Sequence, residues 1–180
     1  MTHLRKVVLY IAASLDGFIA KANDDLSFLS MVQQEGEDYG YSGFLKTIDT
    51  VIMGRKTYDW VIAHIKEFPH SNLETYIITR TERDGGGNLN FYSGDLKDLV
   101  NRLKKEPGMN IFVDGGAEIV QELMKVRLID EFYISIIPVL LGDGIRLFRE
   151  GLPQLKLKLI DSKQFNTGLA QLHYILAEKK

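Results

Sequence analysis

Two segments of this chain gather residues able to hold an anion. One reads Thr50-Val51-Ile52-Met53-Gly54-Arg55-Lys56-Thr57-Tyr58 and the other Asn110-Ile111-Phe112-Val113-Asp114-Gly115-Gly116-Ala117-Glu118. Each is an apolar, β-like run that ends in glycine and passes into a helix-like pattern. Glycine lets backbone approach a ligand closely, and the first turn of a helix carries N–H groups with no intrahelical partner. In the first segment two cations and a hydroxyl follow the glycine, a donor cluster that suits a phosphate. A purely structural strand-to-helix turn is the competing reading of Gly54-Arg55-Lys56-Thr57. Thr79-Arg80-Thr81 closes another strand-like run, where Arg80 reads either as a two-pronged phosphate clamp or as a surface arginine. Gly115-Gly116 reads as a turn that packs helix on sheet or, at the carboxyl end of a strand, as part of a ligand crevice. Two such openings on one sheet would hold both ends of a dinucleotide pyrophosphate, so a nucleotide cofactor is the first expectation.

Other glycines carry less. Gly85-Gly86-Gly87 is followed by a strand-like run rather than a helix and reads as a loop. No GxGxxG follows the first strand, where Asp16-Gly17 most simply turns the chain, so the doubly wound dinucleotide fold is disfavoured. Hydride chemistry would also need an acid or a water to protonate the neighbouring atom. The cluster Glu35-Gly36-Glu37-Asp38 is one source, although a solvated helix end is its plainer reading; Asp16, Asp24, Asp25 and Asp49 are its rivals. Tyr58 and Trp60 read as packing residues rather than as a stacking platform for a cofactor.

These residues need a frame. Strand-like runs fall at 6–13, 50–53, 75–79, 89–92, 110–113 and 131–137. The stretch 26–48 reads as partly helical, interrupted by Gly36, Gly40 and Gly43. In 95–106, Leu96, Leu99, Val100 and Leu103 repeat at helical spacing, and Ile119, Val120, Leu123 and Met124 do so in 117–126. Strands alternating with helices predict an α/β layer structure with a mainly parallel sheet. Leu155, Leu157 and Leu159 alternate with lysines, which predicts a strand with one wet face. The turn signal Asn166-Thr167-Gly168 then predicts a return over 169–177, so the sheet should end in an antiparallel hairpin.

Composition bounds the rest. The 180 residues most economically form one domain, 1–180, with 45% hydrophobic and 26% charged residues. A formal charge of −2 gives no electrostatic reason to expect nucleic acid or an anionic membrane as partner. Without cysteine there are no disulfides or thiolate metal sites, and the four histidines are dispersed, so no metal is expected. No apolar run is long enough to span a membrane and no signal-peptide pattern stands at the start, so a cytoplasmic location is expected.

Taken in order, the motifs resemble the dihydrofolate reductase-like fold, most nearly the C-terminal reductase domain of bacterial bifunctional riboflavin-biosynthesis proteins. Ala12-Ala13-Ser14-Leu15-Asp16-Gly17-Phe18-Ile19-Ala20 is similar to the family's opening strand and the loop over the nicotinamide. The Gly54 and Gly115-Gly116 segments match its two cofactor turns. The late segment from Leu128-Ile129-Asp130-Glu131 through Pro138-Val139-Leu140-Leu141-Gly142-Asp143-Gly144 resembles the riboflavin branch. The resemblance implies a three-layer α/β/α domain and an NADPH-dependent oxidoreductase acting on a small heterocyclic substrate. Gly54, Arg55, Lys56, Thr57 and Thr79 would serve the phosphates, with Arg55 and Arg80 at the adenosine 2′-phosphate. Gly115, Gly116, Ala117 and Glu118 would face the pyrophosphate, while Ala12 and Ile19 would line the nicotinamide. Counting back from Met53 without gaps places Asp38 where dihydrofolate reductases keep their proton-assisting acid. The family's Asp-Asn-Pro segment is replaced here by Asp59-Trp60-Val61-Ile62. The substrate expectation therefore stays at a pyrimidine, pterin or related heterocycle. The alternative is a non-catalytic NADP- or pterin-binding module that kept the fold. By the same resemblance, the run 132–141 would support a homodimer.

Overall fold

The structure is a computed structural model that describes residues 4–177; His3 falls outside them. Its centre is an eight-stranded sheet in the order β5-β4-β3-β6-β1-β7-β10-β9. The middle strand β1 (Val7–Ser14) pairs in parallel with β6 (Asn110–Gly115) and β7 (Glu131–Ile137). On the other side of β6 lie β3 (Ile48–Gly54), β4 (Glu74–Ile78) and β5 (Leu89–Tyr92), all parallel. Val7, Val8, Leu9, Val51, Ile52, Ile111, Phe112 and Val113 are essentially inaccessible. These strands are apolar on both faces because helices cover both faces.

One face packs on α3 (Leu96–Leu103) and α4 (Ala117–Lys125), whose predicted apolar stripes are all buried. On the other face lie α1 (Tyr41–Leu45), α2 (Arg55–His64) and a 3-10 turn at Ser27–Val32. An aromatic chain ties that layer together: Tyr58 meets Phe68, Phe68 meets His70, His70 meets Phe112, and Phe112 meets Phe44. The result is the expected three-layer α/β/α arrangement. The region 26–48 is helical only in part, as expected, in the turns at Ser27–Val32 and Tyr41–Leu45. Gly40 enters α1 at φ +85°, a conformation that breaks a helix and that glycine tolerates best.

The sheet ends as expected in an antiparallel hairpin, β9 (Leu157–Gln164) and β10 (Ala170–Leu176), with β10 against β7. One expectation is corrected here. β9 has no dry face: every one of its residues is exposed, as the sheet's edge strand beside β10. Within the apolar run 132–141, β7 is an inner strand between β1 and β10, with Phe132 and Ile137 buried. A small antiparallel pair that the sequence did not signal, β2 (Phe18–Ala20) with β8 (Ile145–Arg146), closes over the end of β1. Among the described residues, no helix is long and apolar enough to cross a membrane.

Candidate active site

The connections leaving β3 and β6, which are neighbours, go to opposite faces of the sheet: α2 to one, α4 to the other. Adjacent parallel strands whose connections diverge leave a crevice at their carboxyl ends. Both glycine turns sit in it. A Cβ placed on Gly54 would lie 3.5 Å from the Gly116 nitrogen and 3.2 Å from Ile119 Cγ1, and one on Gly116 would lie 3.0 Å from Thr57 Oγ1. The backbones of the two turns are therefore nearly in contact, and side chains would crowd them apart. Gly115 holds φ +112°, a backbone that disfavours any side chain there. Neither α2 nor α4 has a side-chain cap at its N-terminus, so the N–H groups of both first turns are left for another acceptor. By contrast Asp95 caps α3, accepting from Asp98 N at 2.9 Å.

Cations surround this pair of helix ends. Lys56 is exposed and lies 3.9 Å from Glu118 Oε1, bridging the first turns of the two helices. Arg55 pairs with Asp59 one turn on, at 2.7 Å. Arg80 is exposed just beyond β4 and makes no ion pair among the described residues, and Thr79 Oγ1 accepts from Thr81 N beside it. Ala117 is buried beneath the start of α4. The structure thus brings Gly54, Arg55, Lys56, Thr57, Gly115, Gly116, Ala117 and Glu118 into one locality. Two adjacent, uncapped helix N-termini, one of them carrying Arg55 and Lys56, suit a diphosphate.

A cavity of about 510 Å³ opens on the α1 side of the sheet, between β1, β7 and the segment 26–41. Ala12 is in its wall, whereas Ile19 is not; Ile19 packs against the main core instead. Since Leu9 pairs with Val113, Ala12 stands beside the Gly115-Gly116 turn on the adjacent strand. The accessible surface of the walls is largely apolar, with Leu29, Val32, Ile137 and Leu169 among them, beside polar residues such as Gln33, Glu37, Asp38 and Ser135. That mixture is typical of sites for small ring compounds.

The polar floor was not legible in the sequence. Gln171 is buried and its Nε2 donates to Tyr10 Oη at 2.9 Å, Ser135 Oγ at 3.1 Å and the Tyr39 carbonyl at 3.2 Å. Tyr10 in turn donates to the same carbonyl at 2.8 Å. Burial pushes the Tyr10 phenol up, against the Gln171 hydrogen bond, and the Asp38 charge adds to it; burial also raises Tyr41, helped by the Asp114 charge. Both phenols therefore stay protonated at neutral pH. Residues 10, 135 and 171 meet only because β1, β7 and β10 are consecutive in the sheet, a relation that sequence spacing does not carry.

Asp38 also faces the cavity, but its carboxylate is engaged. Oδ1 accepts from Gly40 N at 2.9 Å and Oδ2 from Ser42 N at 3.0 Å, so it caps the turn into α1. The Ser42 hydroxyl and these two amides hold its pKa below the usual carboxylate range. Asp16, one of its rivals as acid, is engaged likewise. Its carboxylate accepts from Ser14 Oγ, Leu141 N and Gly142 N, which brings its pKa down to about 2.

The sheet order and the crevice define a dihydrofolate reductase-like protein. The comparisons agree: dihydrofolate reductase from Enterococcus faecalis, solved with NADP(H), superposes with a TM-score of 0.65 over 99% of this chain and all of that one, at 14% identity. The chain belongs to the RibD C-terminal domain family, whose model matches residues 5–171. A solved structure from Shewanella sp. PV-4 that carries a riboflavin-biosynthesis name is 29% identical, with a TM-score of 0.87 over 96% of this chain and 99% of that one. The protein YwjB of Bacillus subtilis is 44% identical over 174 residues, 96% of this chain and 99% of its own. Family and fold are those of reductases.

Proposed function

We propose that this chain is an NADPH-dependent reductase of a small heterocyclic compound. The observation that carries the reading is the contact between the Gly54 and Gly116 turns, which puts two uncapped helix N-termini side by side, on a sheet whose α1 face also holds a 510 Å³ cavity. In this reading the amides of Arg55, Lys56 and Ala117 hold the diphosphate, and Lys56 and Thr57 add a charge and a hydroxyl. Thr79 and Arg80 lie beyond β4 on the side of the crevice away from the cavity, which suits the adenosine end and its 2′-phosphate. NADPH supplies the hydride when bound. Ala12, with no side chain beyond Cβ, leaves room for two flat rings to approach on the cavity side. The apolar walls exclude water and fix the angle of approach, which is the protein's main contribution to such a step.

Asp38 enters as the carboxylate that orients the heterocycle. Because its pKa is depressed, it works as a hydrogen-bond acceptor for a ring or exocyclic N–H, and the proton that follows the hydride comes by way of water. The same depressed pKa favours a second reading, a cofactor- and heterocycle-binding module without turnover.

The test is a titration with NADPH and with NADH, followed by Trp60 emission. NADPH is expected to bind more tightly. Arg80→Ala should weaken NADPH about tenfold and leave NADH unchanged, the loss of one charge-assisted phosphate contact. Equal losses for both cofactors remove Arg80 from this role, and no binding of either removes the reading. Stopped-flow oxidation of bound NADPH with a panel of pterins and aminopyrimidines separates the two readings. Binding without oxidation on any of them selects the module.

A further inference from the structure

Ser135 is 5% exposed and stands on β7 directly across from Ala12 on β1, in the wall of the 510 Å³ cavity. Its hydroxyl has one proton to give, and among the described residues nothing accepts it. The reason lies one strand over, at Gln171. The Tyr39 carbonyl can only accept, so the part of the Gln171 amide 3.2 Å from it is the NH2 group and not the oxygen. Tyr10 Oη spends its own proton on that same carbonyl and accepts from Gln171 Nε2 at 2.9 Å. Ser135 Oγ, 3.1 Å from the same nitrogen, is therefore an acceptor there as well. Its proton cannot point toward Gln171, and the open side is the cavity. A buried hydroxyl with an unspent donor costs stability unless water or a ligand accepts from it.

Charge narrows what that ligand can be. Among the described residues no lysine, arginine or histidine lines the cavity, whereas two carboxylates do, Glu37 and Asp38. Both are held in place: Glu37 Oε1 accepts from Tyr39 N at 2.7 Å, and Asp38 from Gly40 N and Ser42 N. A phosphate group here would lose water, find no counter-charge and face two like charges. An uncharged ring meets none of these penalties, and the apolar walls bury its faces.

We propose that the cavity takes an uncharged ring compound without phosphate, and that Ser135 selects it by donating to a ring carbonyl or ring nitrogen. Gln171 is the positioning residue that turns the Ser135 proton toward the ligand. The inference rests on the reductase reading for taking this cavity as the substrate site, and adds to it the class of substrate.

The test uses the full chain, with and without NADPH, and 1H–15N NMR titrations read at the amides of Ala12 and Ser135. The probes are uracil and uridine, which carry ring carbonyls, uridine 5′-monophosphate, which adds only a phosphate, and indole, which has no such acceptor. Uridine is expected to bind at least about tenfold more tightly than its monophosphate. Ser135→Ala should weaken uracil and uridine about tenfold and leave indole within about twofold, and Ser135→Thr should restore the loss. Gln171→Glu offers Ser135 an acceptor in place of a donor, so the proton turns away and uridine should weaken as far as in Ser135→Ala. A monophosphate that binds as tightly as uridine overturns the substrate class. Uridine unchanged in Ser135→Ala, or indole lost equally with it, overturns the donor role. Uridine unchanged in Gln171→Glu overturns the part given to Gln171. Ser135→Ala and Ser135→Thr each alter one heavy atom, so the donor role is tested even where Gln171→Glu does not fold. A chain that takes NADPH but neither uracil nor uridine overturns this inference and leaves the reductase reading standing. One that takes uridine without NADPH does the opposite, and one that takes neither overturns both.

Discussion

The two ends of the parallel sheet are built on opposite plans. At the amino end, Arg5 is 3% exposed and spends its guanidinium on the chain itself: the Asp49 carboxylate, Thr50 Oγ1 at 2.6 Å, and the carbonyls of Met109 at 2.7 Å and Leu103 at 3.2 Å. Asp130 does the reciprocal work, accepting from Val7 N at 2.8 Å and Lys104 Nζ at 2.7 Å. At the carboxyl end, β3 and β6 finish in glycines, the helices that follow have no side-chain caps, and Lys56 and Arg80 project into solvent. One end has its charges and donors matched internally and seals the strands; the other keeps two helix N-termini without side-chain caps, and its ion pairs, Arg55 with Asp59 and Lys56 with Glu118, lie at the surface. Uncapped N–H groups are tolerable where water or a ligand completes them, so the contrast sets apart the end proposed above as the cofactor site.

That contrast can be broken from either side. The largest effect is expected at the sealed end. Arg5→Ala removes one partner of a largely buried pair and should lower stability by about 3 kcal/mol in urea unfolding, with NADPH affinity of the folded fraction unchanged. Gly54→Val should do the reverse. Its side chain would fill the space between Gly116 N and Ile119, cutting NADPH affinity on the order of a hundredfold while moving the unfolding midpoint less than Arg5→Ala does. Equal cofactor losses in the two variants would erase the distinction.

Asp95 sharpens the comparison within one class of element. Asp95→Ala uncaps α3, a helix N-terminus that completes itself, and should cost about 1 kcal/mol of stability with no change in NADPH affinity. The smallest effect is expected at Asp16. Its folded pKa, about 2, lies below the ordinary carboxylate value, so its contribution is present above pH ~4 and fades as pH falls toward 2. The acid limb of a stability–pH curve should flatten in Asp16→Asn; an unchanged limb would show that the tie between Asp16 and Leu141–Gly142 does not bear on folding.

Much of the frame was legible in the sequence because it is written locally. Leu96, Leu99, Val100 and Leu103 declare the buried face of α3 by spacing alone, and apolar runs closed by glycine declare β3 and β6. The fully exposed β9 was misjudged because alternation reports which residues are apolar, not whether anything covers them. The 26–48 region is partly helical, as its glycines suggested: positive-φ Gly36 and Gly40 separate the turns at Ser27–Val32 and Tyr41–Leu45, but the carboxylates that take over backbone N–H groups, Asp38 among them, could not be read from spacing. The pair β2–β8 was missed because two and three residues are too few to carry a period.

By itself the sequence determined the element types, the parallel core and the donors at each strand tip, since propensity, periodicity and glycine's freedom act within a few residues. Only the tertiary structure decided that Gly54 meets Gly116, that Gln171 underlies Tyr10 and Ser135, and that a buried His70 grips Asp114. Those contacts join residues 36 to 161 positions apart, and they depend on strand order and register. Both are fixed by how the whole core packs, which no short window of residues contains.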